Sequence, residues 1–465
     1  METSGGRTCK LTETRKLKLM KKIFLVMISV AVALCAGSQA NVLPATAQKG
    51  AIAIKNATVH TGEGTVIENA TIVIENGKIT AVGKDVIIPA GAEVTDAGGK
   101  QVYPGLVLPI SSLGLNEISS VKASSDAREI GDMNPNIRAI VAYNTDSKVI
   151  NTLRSNGILA ANIVPQGSFL AGSSSLVQLD AWNWQDAAIQ TDGGMNLYMP
   201  SLMPRPSFGR GGGGDGRFGG PNAGRETDPV KEGLDKIEQL KMFFKEAKAY
   251  LAATDKKETN LKFEAVKNLF SKKQKFYVHA NTVKQMLVAL DFIKEFGFDM
   301  VIVGASEGWQ IADLLKQNNV SVILNQLHSL PTGEDDDIDQ PYKTAAALQK
   351  AGVLFALGDD DSQNRGRNLA FNAGTAAAYG LTKEQALAAI TLNAAKIMGA
   401  GDKIGSIAVG KDANIIISSG DIMDMRTNNV THAFINGRKI NLDDKQKQLN
   451  ERFEEKYNIK TKKGF

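Results

Sequence analysis

Histidine and cysteine are scarce in this chain. Its 465 residues include four histidines, His60, His279, His328 and His432, and two cysteines, Cys9 and Cys35. Both cysteines lie within the first 40 residues. The remainder therefore has no disulfide, no thiol nucleophile and no thiolate metal site. A long apolar run is also missing: residues 23–36 form a stretch of 14, short of the ~20 needed to cross a bilayer as a helix, which argues against a permanent membrane anchor. The net charge of +5 belongs entirely to residues 1–40, where seven basic residues face Glu2 and Glu13. Beyond them 47 basic residues balance 47 acidic ones, so the body offers no overall field for nucleic acid.

What stands at the amino end reads as an export address. Met20-Lys21-Lys22, the apolar stretch 23–36 and then small residues give the three regions of a signal peptide. Translation is expected to start at Met20, with cleavage after Ala40 or, alternatively, Ala47. This implies a periplasmic or cell-envelope location. Leu34 before Cys35 departs from the small residue that lipidation requires.

The body reads as two kinds of structure. Residues 48–103 alternate with a period of two and carry turn residues between short runs, and 400–440 repeat that pattern up to an Asn436-Gly437 turn. Both ends are expected to build one small β domain. Between them, over 104–399, buried-strand runs at 105–110, 158–164, 275–280, 300–303, 320–325 and 353–357 alternate with helices, with further strands near Leu176 and Met195. A capping box at Thr282 and Gln285 should open a helix that ends at Gly297. Residues 207–225 are glycine-rich without the Gly-Lys-Ser/Thr of a phosphate loop, and are expected to be a mobile loop. A charged helix over 441–465 should pack Leu449, Phe453 and Tyr457 against the body.

Chemistry-bearing residues fall at strand ends. His279 closes a hydrophobic strand, His328 follows the strand at 320–325, and Asp359, Asp360 and Asp361 follow the strand at 353–357. In a parallel barrel those ends form the mouth where catalytic groups gather. Gly172-Ser173-Ser174-Ser175 lacks the elbow motif of serine hydrolases.

The run Tyr103-Pro104-Gly105-Leu106-Val107, the barrel pattern, and the closing Gly405-Ser406-Ile407-Ala408-Val409-Gly410-Lys411-Asp412-Ala413-Asn414 together resemble the amidohydrolase superfamily, and most of all its imidazolonepropionase-like branch. The resemblance implies an α/β fold, a (β/α)8 TIM-like barrel with a small β-sandwich made from both chain ends. It also implies metal-dependent hydrolysis of carbon–nitrogen bonds in amides or cyclic amides. Ile110 and Ser112 stand at the two histidine positions of the first barrel strand, and Gly304 at that of the sixth. His279 matches the fifth-strand ligand and Asp360 the eighth-strand aspartate, with Asp359 or Asp361 as alternatives. Two retained positions fall short of the three protein ligands that a catalytic zinc needs. The expectation is therefore a catalytically impaired member with no cofactor, or at most one weakly held divalent metal such as zinc. His279 and Asp360 would be its residual site. A small molecule would sit in the barrel mouth, with His328, Ser173 and Ser174 in contact with it, and an intact relative is a candidate partner in a homo- or hetero-oligomer. The alternative is an active hydrolase with a rearranged, single-metal or metal-free site.

Overall fold

The computed structural model describes residues 43–118, 120–167, 169–203, 228–255, 258–359 and 365–459. The export address before residue 43, the glycine-rich 207–225 segment, Asp360 and Asp361 lie outside them. Among the described residues no helix is long and apolar enough to cross a membrane.

Both chain ends contribute to one eight-stranded sheet. Its strands are β1 (Ile52–His60), β2 (Val66–Glu75), β3 (Lys78–Gly83), β4 (Glu93–Asp96) and β5 (Gln101–Pro104), joined late in the chain by β14 (Ile415–Ser418), β15 (Val430–Ile435) and β16 (Arg438–Lys439). β1 changes partner along its length: Ile52–Lys55 pairs with β4 and Thr58–Val59 with β5. Asn56, at φ 54°, sits at the bulge between the two pairings. A bulge of this kind bends a strand and raises its twist, so one strand can serve two layers. Ile54, Val59, Ile72, Ile74, Ile415 and Phe434 fill the core of this domain.

The second sheet is a nearly closed barrel. Its strands are β6 (Leu106–Ser111), β7 (Ile158–Ile163), β8 (Leu170–Gln178), β9 (Ala188–Tyr198), β10 (Lys275–Ala280), β11 (Met300–Gly304), β12 (Ser321–Leu324) and β13 (Phe355–Leu357), hydrogen-bonded in that order. Alternation sorts the side chains. Val107, Ala160, Tyr277, Val301, Val303, Ile323 and Ala356 point inward, whereas Phe276, Val278, Ile302, Val322 and Phe355 pack under the surrounding helices. The helix Leu392–Ile397 closes the amino-terminal end of the barrel with Ala394, Ala395 and Ile397.

The barrel departs from eight parallel βα units at one place. β8 runs antiparallel to both β7 and β9. The connection 164–169 is too short for the helical crossover that a parallel partner would require. The expected capping box is present in the helix Val283–Phe296, which ends at Gly297. The last helix, Lys445–Tyr457, forms, but its apolar face does not pack as expected: Phe453 and Tyr457 are 52% and 59% exposed. The sequence period marks an apolar face but carries no information on whether the body reaches far enough to cover it.

Candidate active site at the barrel mouth

Seven strands direct their carboxyl ends to one side of the barrel, where a cavity of about 620 Å³ opens. His279 enters it because it shares the inward parity of Tyr277 on β10. Its ring stacks on Tyr198 at 4.0 Å between centroids and 14° between planes. Buried Asn196 donates through Nδ2 to the Gly172 carbonyl (3.2 Å), which turns Oδ1 toward His279 Nε2 at 3.3 Å. That orientation makes Nε2 the protonated nitrogen. Burial pushes the imidazole's pKa down to about 3, so the ring is neutral at pH 7.

Across the mouth, Asp359 lines the same cavity just past β13. It is buried, and Asn372 Nδ2 donates to its Oδ2 at 3.2 Å. Of the three aspartates considered from sequence, Asp359 is thus the one described at the mouth. Ile110 also lines the cavity and presents only hydrocarbon; Ser112 is buried beyond the end of β6 and is not among the lining residues.

Gly304 ends β11 at φ 101°, a region that residues with a side chain rarely enter. A Cβ built there would lie 2.2 Å from Asn281 Oδ1. The space a sixth-strand ligand would need is taken by the Asn281 side chain, whose Oδ1 accepts from Ser306 Oγ at 3.2 Å.

Three residues expected to contact ligand lie elsewhere. His328 is exposed, hydrogen-bonded through Nε2 to Thr375 Oγ1 (2.9 Å), and is not among the lining residues. Ser173 and Ser174 are buried in β8, paired with Met195 and Gly194. Gly194 in turn pairs with Lys275, the first residue of β10, so both serines sit toward the floor of the barrel. The reversal of β8 explains this, because only its first residues reach the mouth.

Several mouth residues were not anticipated. Asn281 and Asn325 follow β10 and β12 directly, Tyr198 ends β9, and Gln166, Arg128 and Arg365 come from loops. The asparagines and Tyr198 were findable from the rule that strand ends line the mouth. The loop residues obey no period that would reveal them.

A catalytic zinc needs about three protein ligands at one place. Among the described residues no three His, Cys, Asp or Glu side chains gather closely enough to hold an ion. His279 has its Nε2 proton engaged with Asn196 and its ring face against Tyr198, and Ile110, Val164 and Val303, with the carboxamides of Asn281 and Asn325, make up much of the remaining lining. Such groups are poor substitutes for imidazole and carboxylate around zinc.

A nearly closed barrel with an appended sheet built from early and late strands, and a polar cavity at the strand ends, defines the architecture. The amidohydrolase family model matches residues 236–440. An amidohydrolase structure from Thermotoga maritima superimposes with a TM-score of 0.72 at 26% identity, covering 84% of this chain and 99% of that one. Imidazolonepropionase of Thermoplasma volcanium is 38% identical over 86 residues, 18% of this chain and 21% of the relative. Amidohydrolase tasK of Hapsidospora irregularis is 23% identical over 422 residues, 79% of this chain and 41% of the relative. The chain spans between about a fifth and two-fifths of the length of these curated relatives. Over residues 236–440 the chain matches the amidohydrolase family, and its fold is that of the Thermotoga maritima amidohydrolase.

Proposed function

We propose that this protein uses the amidohydrolase fold to bind a small molecule in the barrel mouth without metal-dependent hydrolysis. One observation carries the reading: the sixth-strand position is a glycine at φ 101° whose side-chain space Asn281 fills. Together with Ile110 in the mouth, this leaves the site short of the ligands a catalytic zinc requires. Without a metal, water keeps a pKa near ~15.7 and does not attack an amide at neutral pH. The alternative, a rearranged active hydrolase, draws support from His279 and Asp359 lining one cavity. We further propose that the chain is exported, on the composition of its amino end. Cleavage after Ala40 fits this better than after Ala47, because Ala45 donates its backbone N–H to buried Asp180 at 3.0 Å.

Metal analysis of protein purified without chelator tests the reading. The expected result is far less than one equivalent of zinc, unchanged in His279→Ala, and no turnover of amide or cyclic amide substrates. One equivalent of zinc that disappears in His279→Ala would overturn it in favour of the alternative. Pull-down from the cell envelope tests pairing with an intact relative, which should co-purify as a barrel protein with its histidines present.

A further inference from the structure

The reading of the mouth as a ligand site leaves open which chemistry it admits, and the side chains facing it constrain that choice. Asn281 and Asn325 follow β10 and β12, two strand spacings apart, each one residue beyond the Ala280–Gly304–Leu324 register. At ~4.8 Å per strand the two asparagine backbones stand roughly 10 Å apart, close enough for one ligand to reach both carboxamides. Asn281 leans over Gly304 of the intervening strand. Its Oδ1 is taken by Ser306, and among the described residues no hydrogen bond engages its Nδ2 or either end of the Asn325 carboxamide.

Among the described residues the charged groups of the lining are Arg128, Arg365 and Asp359. Arg128 and Arg365 are exposed at the rim, where Arg365 Nη1 donates to Gln326 Oε1 at 3.2 Å, and Asp359 is held by Asn372. One wall is aromatic, the stacked Tyr198 and His279, and Ile110, Val164 and Val303 add aliphatic surface. A hydroxyl is both donor and acceptor, and a carboxamide offers one of each in a plane, so it can engage two adjacent hydroxyls at once. An anion would favour the rim arginines and leave the asparagines idle. The cavity volume of about 620 Å³ lies within the range of small-molecule sites, ~300–1,000 Å³.

Resting on the proposed ligand-binding role, we propose that the mouth takes a small uncharged saccharide, with Asn281 and Asn325 binding its hydroxyls directly. Calorimetry and saturation-transfer NMR on the full chain provide the test, with maltotriose and cellobiose as sugar probes. Glutarate serves as the anionic probe and glutarimide as the cyclic-imide probe. At least one sugar is expected to bind, and its affinity to fall about tenfold in Asn325→Leu and in Asn281→Leu, as for the loss of one or two hydrogen bonds. Arg128→Gln should leave it within about twofold. Asn281 has a structural partner in Ser306, so Asn325→Leu is the decisive variant, read alongside a thermal melt that should match the parent. Binding of glutarate or glutarimide in place of the sugars overturns the proposal, as does sugar binding indifferent to Asn325→Leu, or no binding by either sugar. A zinc-loaded protein would instead overturn the non-catalytic reading, so the two failures are distinguishable.

Discussion

Asn281 Oδ1 occupies the point 2.2 Å from which a Cβ of Gly304 would have to project. The main barrier to a side chain at this position is the φ of 101° that suits glycine; Asn281 Oδ1, the end of a side chain, would in addition have to swing aside.

Restoring histidine at this position should fail as a repair. Gly304→His is expected to destabilise the fold by about 2–4 kcal/mol, combining backbone strain with overpacking. The triple variant Ile110→His, Ser112→His, Gly304→His should bind no zinc under conditions where a functional site would fill. Urea denaturation and metal analysis check both. Combining Gly304→His with Asn281→Gly should recover part of the lost stability, because the clash and the strain are separable. Full stability in Gly304→His alone would show that Asn281 yields freely and that the sixth-strand position is open.

His60 joins the terminal sheet to the barrel's helical layer. Its Nδ1 lies 2.7 Å from Glu384 Oε1 and its Nε2 2.8 Å from Gln101 Oε1, and the ring stacks on Tyr103 at 4.5 Å. Burial works to lower its pKa, but the hydrogen bonds to Glu384 and Gln101 and the Glu384 charge outweigh it, leaving the pKa raised above 6.5. A raised folded-state value means that the protonated pair stabilises the fold fully below the unfolded value and progressively less as pH climbs through the folded one. His60→Phe, which keeps the stacking, should thus cost most at pH 6 and least at pH 9. Denaturation midpoints at pH 6, 7.5 and 9 would measure the trend. A cost that is flat or rises with pH would contradict it.

Much of this architecture was legible because it rests on short-range periods. The strand runs expected at 51–54 and 413–418, the Asn436-Gly437 turn and the Thr282–Gln285 capping box all write local geometry into neighbouring residues, and each forms. His279 at the mouth was legible for the same reason. The extent and direction of β8 were not, since Gly172-Ser173-Ser174-Ser175 reads as a loop at the mouth, whereas these residues lie inside a strand that runs away from it. At Gly304 the sequence records a missing imidazole. It says nothing of the φ or of Asn281, which depend on how two neighbouring strand ends meet.

The terminal helix gives a prediction of the opposite kind. Phe453 and Tyr457 stack on one another at 6.2 Å between centroids, yet both are exposed, and the helix's connection to the body runs through Gln446, which accepts from Thr152 Oγ1 at 3.1 Å. Phe453→Ser with Tyr457→Ser should therefore change unfolding free energy by less than about 0.5 kcal/mol, the range of ordinary surface substitutions. Loss of several kcal/mol in thermal or urea unfolding would mean that this face is covered in solution.

Asp180 should be far less tolerant. It is 2% exposed and receives Arg154 Nη1 at 2.6 Å, Arg438 Nη1 at 2.9 Å and the Ala45 N–H at 3.0 Å. Those partners come from the barrel layer, the last sheet hairpin and the segment entering the first strand, so one carboxylate ties three parts of the chain together. Arg154 is itself buried, and desolvation outweighs the attraction of Asp180 to lower its pKa. Removing the carboxylate would leave a guanidinium in a low-dielectric setting with its main counter-charge gone. Breaking such a pair from one side typically costs ~3–5 kcal/mol. Asp180→Ala should fall in that range by urea denaturation and vary little with salt, since buried charges are weakly screened. Arg154→Met with Asp180→Leu should recover a large share of the loss, because the cost comes from the orphaned charge. If the single and double variants were equally unstable, packing around residue 180 would be the cause, and the charge would have no part in it.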